Sequence, residues 1–307
     1  MTLCPSKDSR ATLLGIPQEL RDKILALLVP RVEPAPTDQG DPDGRDYLND
    51  TPSINKRRVK YLTTIPLPDG IPTLKVNKQL RDETLAVMQH LKLPGARSYR
   101  LDVMLIDGEE LWPTWLYVPC LTTRVEELVA TLRDFGPSSH RYGRGFRNGD
   151  GGPPWMIWCF QSLLIRFLEA GPSGPQEKSI DRGVSVRSIV LDIRTPDVQP
   201  EMIATVEDST PGRLRTISRE TGLKMRMHPM FILGFVRRWI NFISGGRSYG
   251  GEIIHTRVGM LRLMLDGVLI EEYDVAKWLA SMPNTPWKVD AYAIRERFGL
   301  KTVPSND

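Results

Sequence analysis

The feature that most limits how this chain can fold is an alternation of apolar segments of two lengths. Short runs typical of buried strands occur at residues 99–106, 124–135, 186–194 and 258–270. Longer segments typical of helices fall between the later runs, at residues 155–171 and 228–244. Strand, helix and strand, recurring about every 60 residues, are typical of crossover units that build a parallel sheet. The sequence therefore predicts an α/β fold, and because this period is too long for a regular leucine-rich repeat, any repeat in the sheet would be degenerate.

Composition narrows the class of protein. The 307 residues are 40% hydrophobic and 25% charged, as in globular proteins. The net charge of +4 is modest for a dedicated nucleic-acid binder, so a nucleic-acid partner is not favoured. No apolar run approaches the roughly 20 residues that cross a bilayer, so no membrane partner is expected. Three widely spaced cysteines (Cys4, Cys120 and Cys159) and the lack of an apolar leader predict a cytoplasmic or nuclear location.

The first predicted helix lies in residues 13–30, "LLGIPQELRDKILALLVP". Its apolar side chains recur at steps of four, four and three residues, at Ile16, Leu20, Ile24 and Leu27. That spacing places them in one stripe along a helix. Pro17 fits the first helical position and Pro30 ends the helix. Arg21 lies off the stripe and is expected to face water.

The next segment changes character. Residues 31–57 are rich in Pro, Asp and Gly, which predicts a flexible insertion, and residues 56–67 contain a short strand candidate. A second helix is predicted over residues 74–91, with Asn77 as its N-cap. The expected organisation is a helical module (residues 1–30 and 73–92), a flexible acidic and basic insertion with a short strand (31–72) and an α/β body (93–307).

Motifs that could carry catalysis are incomplete. Ser248 lies in a Gly-x-Ser-x-Gly pattern, but a predicted helix precedes it and a strand follows, the reverse of a nucleophile elbow. The glycine-rich run at residues 143–152 lacks the Gly-Lys-Ser/Thr ending of a phosphate-binding loop. The four histidines show no metal-ligand spacing: His90, His140, His228 and His255. We therefore expect no catalytic, cofactor-binding or metal site, and the chain is not expected to be an enzyme.

Two alternatives remain open at this point. The first is a nucleic-acid-associated or other scaffold protein that uses a basic cluster formed by Lys56, Arg57, Arg58 and Lys60. The second is an enzyme whose site is assembled in the α/β body from residues far apart in the sequence.

Two short segments resemble a known family. The stretch "IPQELRDKI" (residues 16–24) resembles the Leu-Pro-x-Glu-Leu-Arg-x-x-Ile signature of fungal F-box-like proteins. The stretch "LKVNKQLRDET" (residues 74–84) resembles their second signature, Leu-x-Val-Asn-Lys-Gln-Leu-Arg-x-Glu. The related fungal EXR-containing proteins share both halves. Ile16 replaces the usual leucine, and the tryptophan common late in an F-box does not follow the second segment.

The resemblance implies a non-enzymatic interaction protein. In F-box proteins the first helices bind an Skp1-type adaptor, and the rest of the chain holds a protein target for ubiquitin ligation. The resemblance places adaptor-binding residues in the first signature at Ile16, Pro17, Leu20 and Ile24. It places others in the second signature at Leu74, Val76 and Leu80. Leu27 continues the stripe of the first helix. The target protein is not implied by either segment.

Overall fold

The structure is a computed structural model of the chain, and it describes residues 13–29, 31–38, 44–47, 58–63, 73–136, 153–172, 180–245 and 251–302. The described residues form helices, a six-stranded mixed sheet and a separate two-stranded sheet. This arrangement confirms the predicted α/β class. Within these ranges no helix is both long enough and apolar enough to cross a membrane.

The elements fall into two groups along the chain. The N-terminal group comprises α1 (Gln18–Leu28), β1 (Arg45–Tyr47), β2 (Lys60–Leu62), α2 (Thr73–Val76) and α3 (Lys78–His90). The body begins with β3 (Ser98–Ile106), β4 (Glu110–Tyr117), β5 (Arg124–Asp134), α4 (Trp155–Ala170) and β6 (Ser185–Arg194). It continues with α5 (Pro211–Thr221), α6 (Pro229–Ser244), α7 (Gly251–Arg257), β7 (Val258–Leu265), β8 (Val268–Asp274), α8 (Val275–Ser281) and α9 (Pro286–Arg297).

The six-stranded sheet has the order β4-β3-β5-β6-β7-β8. Strands β3, β5, β6 and β7 are parallel, whereas β4 and β8 pair antiparallel with their neighbours at the two edges. Successive parallel strands step in the same direction across the sheet. Because crossovers between parallel strands are right-handed, the crossover helices α4, α6 and α7 are expected on a single face.

The main core confirms that expectation. Leu101, Val103 and Leu105 of β3 belong to one apolar cluster with residues of α4, α6 and α7. Alternate residues of the same strand point to the opposite face. There Met104 and Ile106 pack in a separate cluster with Trp112 of β4. The helices therefore bury one face of the sheet, and the other face has its own small apolar group.

One strand prediction needs correction, and one strand was not predicted. The run at residues 258–270 is a hairpin of β7 and β8, because Asp266 and Gly267 adopt φ values of 51° and 81°. Positive φ at both central residues is what a tight hairpin turn requires, and Asp-Gly is a preferred pair for it. Strand β4 was not predicted, since it contains Pro113. Proline is tolerated there because β4 is the edge strand of the sheet.

One helix prediction is also incomplete. The segment predicted as a single helix over residues 74–91 is two helices, α2 and α3, which meet at Asn77. The Asn77 side chain accepts a hydrogen bond from the backbone N–H of Leu80 at 2.8 Å, which confirms it as the N-cap of α3. The chain therefore turns at Asn77 before the longer helix begins.

The N-terminal group is attached along the β4 edge. Val29, Leu74 and Met88 pack with Tyr117 of β4 in a second apolar cluster. Within the segment predicted as a flexible insertion, β1 pairs antiparallel with β2. Arg45 of β1 donates hydrogen bonds to Pro113 O at 2.9 Å and to Thr114 Oγ1 at 2.6 Å. The described parts of that segment are therefore bound to the edge of the sheet.

Candidate functional site

The helices α1 and α3 are joined by an ion pair. Arg21 donates from Nε and Nη2 to the two carboxylate oxygens of Glu83, at 2.9 and 2.7 Å, and from Nη1 to Ile16 O at 2.5 Å. This hydrogen bonding lowers the pKa of Glu83 and raises the pKa of Arg21. The prediction that Arg21 faces water is wrong, because Arg21 is buried against Glu83, a partner that lies 62 residues later in the chain.

Arg21 belongs to the inward face of α1. Leu25 is fully buried and Val29 is nearly so, and both follow Arg21 at steps of four residues. At 100° per residue, this inward face lies about 130° around the helix from the stripe of Leu20, Ile24 and Leu27. Helix α1 therefore has two faces that contain apolar residues, and only one of them packs on the rest of the module.

The second face of α1 is exposed. Leu20 is 49% exposed and Leu27 is 82% exposed, with Ile24 at 36% between them. Leu28, which the sequence analysis did not single out, is half exposed beside them. We call Leu20, Ile24, Leu27 and Leu28 the outer face of α1. Large aliphatic side chains grouped at this exposure are typical of a surface that binds a partner.

The second predicted segment mainly builds the module. Leu74 and Leu80 are buried, and Thr84 Oγ1 hydrogen-bonds with Thr73 Oγ1 at 2.9 Å. Arg81 Nε donates to Leu74 O at 3.0 Å and so ties α3 to α2. These contacts fix the angle between the two helices at Asn77. The segment thereby provides the support on which α1 is placed.

The eight residues assigned to partner binding fall into three groups. Those exposed at the surface are Pro17, Leu20, Ile24, Leu27 and Val76. Ile16 is partly buried, and its own backbone carbonyl accepts the hydrogen bond from Arg21 Nη1. Leu74 and Leu80 are buried within the module. The structure therefore leaves five of the eight available to a partner and places the last two in supporting positions.

The two segments that resemble F-box-like signatures, residues 16–24 and 74–84, contact each other in the structure. Arg21 belongs to the first segment and Glu83 to the second, so the fork between them joins the two halves directly. Asn77 and Arg81, also in the second segment, cap α3 and bond α2. Sequence reasoning predicted the Asn77 cap but missed the Arg21–Glu83 fork and the Arg81 contact. The available signal was the four-residue spacing of Arg21, Leu25 and Val29, a second stripe beside the first.

The described part of the basic cluster is engaged within the molecule. Arg58 Nη1 donates to Glu109 Oε2 at 2.9 Å, and its guanidinium lies 4.1 Å from the ring centroid of Trp155. The Lys60 ammonium lies 5.3 Å from the ring centroid of Trp112 in β4. Lys56 and Arg57 lie outside the described residues. These contacts give Arg58 and Lys60 a role in holding the β1–β2 sheet to the body.

The polar groups buried in the body also have structural surroundings. Asp134 accepts hydrogen bonds from the backbone N–H groups of Met227 and Gly136, and burial raises its pKa to about 6. Burial raises the pKa of Cys159 to about 12, which disfavours the nucleophilic thiolate at neutral pH. Burial lowers the pKa of His255 to about 4. Ser248 and the glycine-rich run at 143–152 lie outside the described residues.

The described side chains can also be compared with the pattern of a metal site, and the chain with known proteins. Among the residues that the structure describes, no group of three or more His, Cys, Asp or Glu side chains is placed to hold a metal ion. Comparisons of the chain with protein-family models, with curated proteins and with solved structures find no match.

Proposed function

We propose that this protein is a non-enzymatic substrate receptor of the F-box-like kind. Its N-terminal module would bind an Skp1-type adaptor, and its α/β body would hold a protein target for ubiquitin ligation. The single observation that carries this proposal is the outer face of α1, where Leu20, Ile24 and Leu27 stand exposed. The resemblance of residues 16–24 and 74–84 to F-box-like signatures supports the choice of partner.

The geometry of α1 suits binding in a groove of a partner. A helix that binds in a partner's groove presents apolar side chains at spacings of three and four residues, as the outer face of α1 does. Burying each aliphatic anchor contributes about 1.5–3 kcal/mol, before the cost of association. The Arg21–Glu83 fork and Leu25 hold the opposite side of the helix. A partner could therefore cover the outer face without displacing α1 from α3.

The mechanism would be proximity rather than chemistry. The adaptor would bring the ligase machinery to α1, and the body would bring the target to the same molecule. Holding two reacting proteins together raises their effective concentration, and no catalytic group of this chain is needed for that effect.

The experiment is a binding titration of the purified chain with a purified Skp1-type adaptor. The double variant Leu20→Asp, Ile24→Asp should abolish binding, because it places two charges in the buried centre of the interface. The single variant Leu27→Ser should weaken binding about tenfold or more, since it removes the most exposed anchor. Serine avoids placing a carboxylate in the last turn of α1, where the helix dipole disfavours it.

The matched control is Val289→Asp on α9. The exposed fraction of Val289 lies between those of Leu20 and Leu27. This variant should bind the adaptor as the unmodified chain does. Circular dichroism of all variants checks that the helices remain folded. Absence of adaptor binding to the unmodified chain, or full binding by the folded double variant, would reject the proposal.

A further inference from the structure

The parallel strands of the six-stranded sheet all begin at one edge, and that edge is rich in arginine. Around the starts of β3, β5, β6 and β7, residues 94–101, 120–127, 181–188 and 254–261 contain six arginines and three carboxylates. The arginines are Arg97, Arg100, Arg124, Arg182, Arg187 and Arg257, and the carboxylates are Glu126, Glu127 and Asp181. Parallel strands start on the same side of a sheet, so these charges share one edge. We call this edge, with Arg297, Leu121 and Ile180 beside it, the amino-edge surface.

The opposite edge has the opposite composition but little exposed charge. Residues 103–110, 131–136, 191–198 and 262–269, around the strand ends, contain seven carboxylates and three arginines. Most of these carboxylates are buried, including Asp107, Glu110, Asp134 and Asp192. Among the described residues of this edge only Asp197 and Asp266 are exposed carboxylates, which is few to meet the arginines of a second copy of the chain. The amino-edge surface calls for a different partner.

The two ion pairs that Glu126 makes at the amino-edge surface are exposed and long, whereas Arg257 forms a short pair with Asp181 at 2.6 Å. Glu126 is shared between Arg97 at 3.7 Å and Arg187 at 3.5 Å. The side chains of these two arginines are 59% and 76% exposed. Exposed pairs of this kind contribute little to stability, so the guanidinium groups can exchange one carboxylate for another at small cost.

A third arginine extends the surface toward α9. Arg124 Nη2 donates to the backbone carbonyl of Arg297 at 2.8 Å, and both residues are exposed. Across the sheet, the starts of β3 to β7 span about 14 Å, which is the length of four to five residues of an extended chain. A short acidic segment could therefore reach several of these arginines at once.

Apolar residues lie among the charges. Leu121 precedes β5 and is 45% exposed, and Ile180 precedes β6 and is 68% exposed. The two strands are neighbours, with Arg124 paired to Ser185 at their starts. Leu121 and Ile180 lie close in the chain to Arg124 and Arg182, and exposed aliphatic residues near arginines are typical of protein-binding surfaces.

From this arrangement we infer that the amino-edge surface binds an acidic, extended segment of a protein that also carries apolar side chains. The inference rests on the proposed function, since it supplies the chemistry of the target that the body would hold. Arginine forks match carboxylate geometry. Glu126, Glu127 and Asp181 interrupt the positive charge, which suits a segment with spaced carboxylates better than the continuous charge of a phosphate backbone. Leu121 and Ile180 would have no use in binding such a backbone.

The test measures fluorescence anisotropy of a labelled peptide built from repeats of Glu-Leu-Glu-Ser, with a Gln-Leu-Gln-Ser peptide as its neutral counterpart. The full chain is used without adaptor. We expect the acidic peptide to bind at least about tenfold more tightly than the neutral one, with affinity falling as salt is raised. The double variant Arg97→Glu, Arg187→Glu should lose at least about tenfold in affinity. The variant Leu121→Ser, Ile180→Ser should lose about threefold to tenfold.

The control is Arg219→Glu, which reverses an exposed arginine on α5, outside the surface. It should leave peptide binding unchanged. Equal loss in this control, or no loss in the Arg97 and Arg187 variant, would overturn the inference. Tighter binding of a DNA duplex, unaffected by the Leu121 and Ile180 variant, would overturn it in favour of a nucleic-acid surface. Adaptor binding should be unchanged in every one of these variants, so failure of this inference is distinguishable from failure of the proposed function.

Discussion

The N-terminal module and the body treat their apolar residues differently. In the body, α4 and α6 place most of their large side chains in one continuous core against the sheet. In the module, the corresponding cluster is small, formed by Val29, Leu74 and Met88 with Tyr117. At the same time α1 leaves Leu27 almost fully exposed. The helices α4 and α6 of the body bury most of their large apolar side chains, whereas α1 of the module leaves one of its two apolar faces uncovered.

The difference shows how a helix with an exposed apolar face is held in place. Exposed aliphatic residues on a helix of about three turns reduce what the helix gains from packing. The module compensates with directional contacts, namely the Arg21–Glu83 fork and the Asn77 cap. Such contacts fix the position of α1 without covering its outer face. A region held in this way can present an apolar surface and still remain folded.

The largest effect is expected in the body. Trp239 of α6 is almost fully buried and contacts Phe160 edge to face at 5.4 Å between ring centroids. Trp239→Ala should lower the free energy of unfolding by about 3–5 kcal/mol, because it leaves a large cavity in the core. Urea unfolding followed by circular dichroism measures this loss. Trp239→Phe should lower the free energy of unfolding less, because phenylalanine keeps part of the aromatic volume. An equal loss for both variants would show that the size of the cavity is not the cause.

An intermediate effect is expected in the module, and it should separate the two faces of α1. Leu25→Ala should cost about 2–4 kcal/mol, since Leu25 is fully buried, whereas Leu28→Ala should cost under about 0.5 kcal/mol. Hydrogen exchange of the α1 and α3 amides reports the change. Equal costs for the two leucines would contradict the assignment of inward and outer faces. Faster exchange throughout the sheet would show that the module and body unfold together.

The smallest effect is expected from the fork that joins α1 to α3. Arg21 lowers the folded-state pKa of Glu83 below its unfolded value of about 4.3, so the stabilisation is present above that pH. It is lost as the pH falls through the folded-state pKa. Thermal unfolding of Glu83→Gln and the unmodified chain should therefore differ above about pH 5 and converge in more acidic solution. A difference that does not change with pH would show that the charge of Glu83 is not responsible.

The fold was predictable where the sequence pattern was continuous. Strands β3, β5, β6 and β7 are apolar runs bounded by polar segments, and α4 and α6 are long apolar segments between them. Strand β4 was missed because Pro113 argues against a strand, an objection that edge position removes. Helix α5 was missed because its residues are mostly polar and only Leu214 and the first proline are buried.

The candidate site was predictable only in part. The spacing of Leu20, Ile24 and Leu27 indicates a helix with an apolar stripe, and the stripe is present. Whether such a stripe faces the core or the solvent depends on contacts from elsewhere in the chain. Here the contact that holds Arg21 on the inward face of α1 comes from Glu83, and no residue near Arg21 in the sequence predicts this partner. The burial of Leu74 and Leu80 likewise depends on where α2 and α3 pack.

The place of the Arg21–Glu83 fork in the chain has a consequence for synthesis. Chains are made from the N-terminus, so both partners of the fork leave the ribosome before β3, the first strand of the six-stranded sheet, which begins at Ser98. Tyr117, which completes the small cluster of the module, follows later. The order of translation therefore produces the helix with an uncovered apolar face before it produces the strands and helices that form the main core.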